Sequence, residues 1–132
     1  MAKVDITLHM KKEGTLPRVP FDNIKRAILG TRYELSLVLM DDELATKLNK
    51  EHKGKEGPTN ILTFPIDTNE GEVFINLDRA ERDAESFGHT LLEHIAFLYI
   101  HGCLHLKGTV HGDAMEQEEE RLLETLFVHA QK

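Results

Sequence analysis

The segment on which the architecture depends most is residues 90–111, TLLEHIAFLYIHGCLHLKGTVH. Thr90 and Glu93 have the spacing of a capping box, in which each side chain satisfies a backbone N–H at a helix start. The apolar run that follows as far as Leu106 predicts a buried core helix. Gly108 is placed to take the left-handed conformation that ends a helix and reverses the chain. The segment therefore predicts a central helix that ends in a sharp turn before His111.

Strand and helix patterns surround this central helix. Residues 61–64 form a predicted strand between Pro58 and Pro65, and the flanking prolines make it an edge strand. The pattern predicts an α+β fold, a small mixed sheet of about four strands packed against about five helices, with a metal site at the end of the central helix, in a single domain over residues 1–132. Strands are predicted at 4–10, 33–40, 61–64 and 72–76, and further helices at 21–28, after a cap at 41–42, at 77–85 and around 115–127.

Composition narrows the class of protein. With 40% hydrophobic and 30% charged residues the chain is typical of a folded globular protein, and its one cysteine excludes an internal disulfide. No secretory signal or membrane-spanning run is apparent, so we expect a cytoplasmic protein without a membrane partner. The net charge of −7 is concentrated in the second half. The glutamates of the last helix, among them Glu119, are interpreted as a solvated face or as a face that repels wrong anionic partners.

Three histidines carry the clearest chemical signal. His101 and His105 are four residues apart, so on a helix both imidazoles can reach one ion, and a turn at Gly108 would bring His111 over the same face. Two histidines at this spacing alone are usually surface or core residues, but the glycine and the third histidine make a metal site the better interpretation. We predict one divalent metal ion, with zinc favoured. Three protein ligands leave a tetrahedral zinc one open position, which is typical of a catalytic site.

Two nearby side chains have simpler interpretations. His94 precedes His101 by two helical turns, and a structural role is favoured over a role in supporting a ligand. Cys103 is expected to pack in the core. The histidine spacing also matches zinc peptidases of the H-E-x-x-H-x-x-G-x-x-H type, but Gly102 replaces the glutamate that serves as their general base, which makes a peptidase a weak third hypothesis.

With these residues in place, the chain resembles the YbeY family of bacterial metal-dependent endoribonucleases over roughly residues 35–127. Family members carry a motif close to H-G-x-L-H-L-x-G-Y-D-H, which reads HGCLHLKGTVH at 101–111 here. A family segment like P-T-D-V-L-S-F-P is matched by PTNILTFP at 58–65, and a weaker G-D-I-x-I match is GEVFI at 71–75. The resemblance implies activity in ribosomal RNA maturation, at the 16S 3′ end, and in ribosome quality control.

Three departures from the family pattern stand out. Thr109 and Val110 replace the Tyr-Asp pair before the last histidine, so an acidic partner is missing there; Asp113 is a candidate substitute. Lys53 replaces an arginine, and it keeps the positive charge but cannot form the bidentate hydrogen bonds that a guanidinium makes to phosphate. His52 replaces an aromatic residue of the same segment.

The leading hypothesis is a single-strand-directed, metal-dependent endoribonuclease whose partners are ribosomal RNA, ribosomal subunits and their proteins. Its expected catalytic residues are Lys53, His101, His105 and His111, the three histidines being the metal ligands. Lys53, Thr59 and Asn60 are the candidate substrate-binding residues, although a solvated loop explains the lysine, and turn chemistry the other two, equally well. The alternative is a non-catalytic ribosome-assembly or RNA-binding factor that the metal only stabilises.

Overall fold

The computed structural model describes residues 3–10, 14 and 16–128 and confirms the predicted α+β class. Within these ranges, four strands and five α-helices alternate at first and end in consecutive helices. The strands are β1 (Asp5–His9), β2 (Glu34–Met40), β3 (Ile61–Asp67) and β4 (Glu70–Asn76). The helices are α1 (Phe21–Leu29), α2 (Asp42–Lys53), α3 (Leu77–Ala84), α4 (Leu91–Lys107) and α5 (Asp113–Leu123), with a 3₁₀ turn at Glu85–Phe87 and a π-helical turn at Glu124–Val128.

The four strands form one mixed sheet in the order β1-β2-β4-β3. β1 and β4 both run parallel to the central strand β2, whereas β3 pairs antiparallel with β4. β3 is the edge strand that the flanking prolines predicted, and Pro65 lies inside it opposite Gly71. The side chains of Leu35, Leu37 and Leu39 are buried, which is typical of an inner strand that has a neighbour on each side and agrees with the position of β2.

Helix α4 is the central element, as its capping box and apolar run predicted. The Glu93 N–H donates to Thr90 Oγ1 and the Thr90 N–H donates to Glu93 Oε1, so the helix begins at a fixed residue. Farther along, Tyr99 packs edge to face on Phe21 with ring centroids 4.9 Å apart and donates its hydroxyl hydrogen to the Phe21 carbonyl. Helices α1, α3 and α5 and strands β3 and β4 all contact α4, so its position is determined from every side.

Gly102 lets α4 lie close against the sheet. A methyl group at this position would come within 3.0 Å of Ile61 Cδ1 and 3.1 Å of Val73 Cγ1, closer than ordinary contacts allow. A glutamate at this position would therefore be directed into apolar side chains of the sheet. The peptidase hypothesis loses its structural basis, because the position of the missing base faces away from solvent.

Helix α2 begins after the predicted cap at Asp41. Asp41 Oδ1 accepts the Leu44 N–H at its start, and Gly54, with φ 65°, ends it after twelve residues. The C-terminal residue of the helix is Lys53. In the described part of the chain, no helix is both long and apolar enough to cross a bilayer.

Candidate metal centre

The structure brings the side chains of His101, His105 and His111 together at the end of α4. One ring nitrogen from each lies within 4.8 Å of the others. The Nε2 atoms of His101 and His105 are 3.1 Å apart, and the His111 ring lies 4.2 Å from the His105 ring and 5.4 Å from the His101 ring, measured between centroids. Two imidazole lone pairs at this separation repel unless a proton or a cation lies between them.

A glycine turn places the third histidine, as the sequence predicted. Gly108 has φ 98°, and its N–H and that of Thr109 both point back to the last turn of α4, where Thr109 donates to the Leu104 carbonyl. This left-handed turn reverses the chain and returns His111 to the face that carries the other two imidazoles. His101 and His105 are half-buried, while His111 is exposed, so the cluster opens to solvent on the His111 side.

The donor set suits a divalent ion. Nitrogens bound at about 2.0–2.1 Å from a tetrahedral zinc are separated by about 3.3 Å, close to the distance observed between the two Nε2 atoms. Burial, with the nearby His101 and His111, lowers the pKa of His105 and so keeps the imidazole in the neutral form that binds metal. The three side chains can therefore hold a metal ion.

Glu119 supports the first of these histidines from the last helix. It is only 5% exposed, and its carboxylate contacts Nδ1 of His101, which leaves Nε2 of the same ring facing His105. A carboxylate that accepts the Nδ1 hydrogen fixes the tautomer and the orientation of a metal-binding imidazole. The arrangement therefore makes Glu119 a positioning residue for His101.

This contact corrects one interpretation of the sequence. The sequence predicts that Glu119, like the neighbouring glutamates, belongs to a solvated face or to a face that repels anionic partners, but it lies on the buried side of α5. The candidate substitute for the missing acid, Asp113, is exposed at the start of α5, and Val110 is 82% exposed. A signal was available: Glu119 follows Met115 by four residues and precedes Leu122 by three, so it falls within the apolar stripe of its helix.

Burial is the largest cause of the lowered pKa of His105, and the positive charge of Lys53, at the end of α2, adds to it. His52 packs its ring on Phe64 of β3 with centroids 4.9 Å apart. The histidine thus makes an aromatic contact between α2 and the sheet.

The Thr59-Asn60 loop is held rigidly beside the site. Asn76, fully buried, donates from its side chain to the Thr59 carbonyl and from its backbone to the Asn60 carbonyl, at 3.1 and 2.9 Å. Arg79 donates to the Pro58 carbonyl at 3.0 Å. The Thr59 hydroxyl donates locally to the Ile61 carbonyl, whereas Asn60 lines a cavity that also contains His101 and His111.

His94 and Cys103 have structural surroundings. His94 is 1% exposed, and its Nδ1 lies 3.1 Å from Nδ1 of His89; burial and that neighbour lower its pKa. An imidazole enclosed in this way supports packing and is poorly placed to accept a proton at the metal centre. Cys103 is fully buried, and burial raises the pKa of its thiol to about 12, which agrees with core packing.

Comparisons with known proteins agree with the motif. A family model described as "Endoribonuclease YbeY" matches residues 18–130. Proteins named "Endoribonuclease YbeY" from Wolinella succinogenes and Pelotomaculum thermopropionicum are 38% and 36% identical to this chain. The first alignment covers 66% of this chain and 68% of the relative, and the second covers 82% and 76%. A solution structure from Thermotoga maritima shares the fold, with a TM-score of 0.70 at 22% identity over 97% of this chain and 91% of that one. The chain belongs to the YbeY endoribonuclease family, as the histidine motif predicted.

Proposed function

We propose that this protein is a single-strand-directed endoribonuclease that uses one divalent ion, preferably zinc, held by His101, His105 and His111. The observation that carries the proposal is the convergence of three imidazoles beside an open cavity at the end of α4. The relatives named endoribonucleases support hydrolysis of RNA over a purely structural use of the metal. A bound ion supplies Lewis-acid chemistry, lowering the pKa of a coordinated water and polarising a phosphate oxygen.

The residues of the chain have separable tasks in this proposal. The three histidines each bring one ring nitrogen to within 4.8 Å of the others, and Glu119 holds His101 in the required tautomer through Nδ1. Lys53, exposed at the end of α2, supplies a positive charge that attracts the RNA backbone near His105. Asn60 offers an amide at the wall of the cavity, and Thr59 positions the turn that carries it.

A preference for single strands over duplexes is supported by the size of the site. The metal centre lies between the end of α4, the turn at Gly112 and the loop at Asn60, and the adjoining cavity has a volume of about 300 Å³. A cavity of this size admits one nucleotide that has left a base stack, and recognition of RNA by proteins commonly uses such unstacked bases. We further propose that the substrate is ribosomal RNA, that ribosomal subunits are the partner, and that the protein acts in the cytoplasm as one domain over residues 1–132.

The test measures metal content and RNA cleavage in the same preparations. Zinc-loaded wild type is expected to cleave a labelled single-stranded RNA and to spare the same sequence in a duplex. His105→Ala is expected to lose both the metal and the cleavage, while His9→Ala, which changes an exposed histidine at the end of β1, is expected to keep both. Unchanged cleavage by His105→Ala would refute the mechanism. Absence of cleavage by the wild type at every metal concentration, with RNA binding retained, would favour the non-catalytic assembly factor.

A further inference from the structure

The cavity beside the histidines has an aromatic wall that metal binding does not use. Its lining includes Phe87 and Phe97 together with His101, His111 and Glu116. Its volume of about 300 Å³ lies at the small end of the range for ligand pockets. A larger cleft, lined by residues such as Leu8 and Lys47, includes none of the three histidines. The cavity with the aromatic wall is therefore the one that a molecule bound at the metal would enter.

Phe87 is unusual in its exposure. Of the Phe and Tyr side chains in the described part of the chain, it is the most exposed, with 56% of its surface open to solvent. It ends the 3₁₀ turn before Gly88, whose φ of 70° favours glycine and whose N–H donates to the Glu85 carbonyl. An aromatic ring that remains about half exposed has surface available for a planar partner.

Neighbouring rings hold Phe87 in place. Its centroid lies 4.8 Å from the His94 ring, 5.7 Å from the Phe97 ring and 5.8 Å from the His89 ring, the last in a stacked arrangement with an interplanar angle of 27°. The buried His94 ties this group to α4, the same helix that carries two of the candidate ligands. The aromatic wall and the metal centre are thus parts of one rigid unit.

The charges around the cavity determine which part of a nucleotide fits there. Glu116 contributes an exposed carboxylate to the lining, which would repel a phosphate, whereas the carboxylate of Glu119 is already in contact with Nδ1 of His101. The three imidazoles, with their ion, favour a phosphate at the other end. A nucleotide is therefore oriented with its phosphate at the histidines and its base against the phenylalanine rings.

We propose that Phe87 and Phe97 form a nucleobase-stacking subsite for the nucleotide next to the scissile phosphate. The proposal rests on the proposed function, since it assumes that a phosphate binds at the histidine-held ion. Stacking on an aromatic side chain is tolerant of sequence because every base has a π face. The subsite would thus select unpaired nucleotides over duplex without reading a particular base.

The experiment compares two ligands that differ only in the base, AMP and ribose 5-phosphate, on the zinc-loaded protein by calorimetry. Neither contains a phosphodiester, so binding is measured without cleavage. Wild type is expected to bind AMP about ten-fold more tightly than ribose 5-phosphate, a typical stacking gain for one base. Phe87→Ala is expected to abolish this difference while leaving ribose 5-phosphate binding unchanged. Phe87→Tyr is expected to preserve it.

Leu91→Ala is the matched control, because Leu91 is an exposed apolar side chain, 42% open, that does not line the cavity. Equal affinities of wild type for the two ligands would overturn the subsite alone and leave the nuclease proposal intact. An unchanged AMP preference in Phe87→Ala would do the same. Failure of ribose 5-phosphate to bind in a zinc-dependent manner would overturn the subsite and the proposed function together.

Discussion

Replacing Glu119 by glutamine is expected to weaken zinc binding by about 10- to 100-fold, the usual cost of removing a partner of a metal-binding histidine. The carboxylate is almost fully buried and contacts Nδ1 of His101. Glutamine keeps the shape and one acceptor oxygen but removes the negative charge. A hydrogen bond to a charged group contributes about 1.5–3 kcal/mol. This matches the predicted change in affinity, since each tenfold is about 1.4 kcal/mol.

The assay is competition for zinc against a chromophoric chelator, with the unfolding midpoint of the metal-free protein measured in parallel. Glu119→Ala is expected to lose at least as much affinity, because it also leaves the Nδ1 hydrogen without its acceptor. Glu120→Gln provides the matched control, since it removes the same charge at the next position, which is exposed. Zinc affinities of all three variants within twofold of the wild type would refute the role assigned to Glu119.

Three further predictions concern packing, protonation and substrate charge. Gly102→Glu restores the peptidase motif, and it is expected to lower the unfolding free energy by about 3 kcal/mol or more because the new side chain meets apolar side chains of the sheet. The variant is expected to cleave no peptide, and a stable variant with zinc-dependent peptidase activity would contradict this. Burial lowers the pKa of His94 in the folded state, so the free energy of unfolding is highest above pH about 6.5 and falls as the pH is lowered, by up to about 1.4 kcal/mol per pH unit. Denaturant unfolding at several pH values should show a smaller decrease of this free energy in His94→Phe than in the wild type, and equal decreases would refute the prediction. Lys53→Ala is expected to weaken RNA binding and to reduce the slope of log affinity against log salt concentration by about 1, whereas the control Lys53→Arg is expected to keep the wild-type slope. An unchanged slope in Lys53→Ala would exclude a contact between Lys53 and an RNA phosphate.

The local parts of the site were predictable because they depend on short spacings. His101 and His105 lie on one face of α4 because they are four residues apart, and Gly108 ends that helix through its own left-handed conformation. Neither feature depends on how the helix packs against the rest of the fold. The edge position of β3 was predictable from Pro58, which precedes the strand, and Pro65, which lies within it, because proline has no N–H to donate to a second neighbouring strand. These features need no knowledge of which elements pack together.

Features that depend on packing between distant segments were harder to predict. Glu119 is 18 residues from His101, and a glutamate in a helix rich in glutamates looks solvated unless its position on the apolar stripe is noticed. The reason for Gly102 is a contact with β3 and β4, and hydrophobic periodicity does not give strand order. The exposed ring of Phe87 gains its significance only from the cavity beside it.

A crystal structure of the zinc-soaked protein, with anomalous data collected on both sides of the zinc edge, tests the central claim most directly. We expect one anomalous peak at about 2.0–2.1 Å from a ring nitrogen of each of His101, His105 and His111, with the remaining position taken by a non-protein ligand. A peak elsewhere, imidazoles that point apart, or a fourth side chain that closes the coordination sphere would contradict the account.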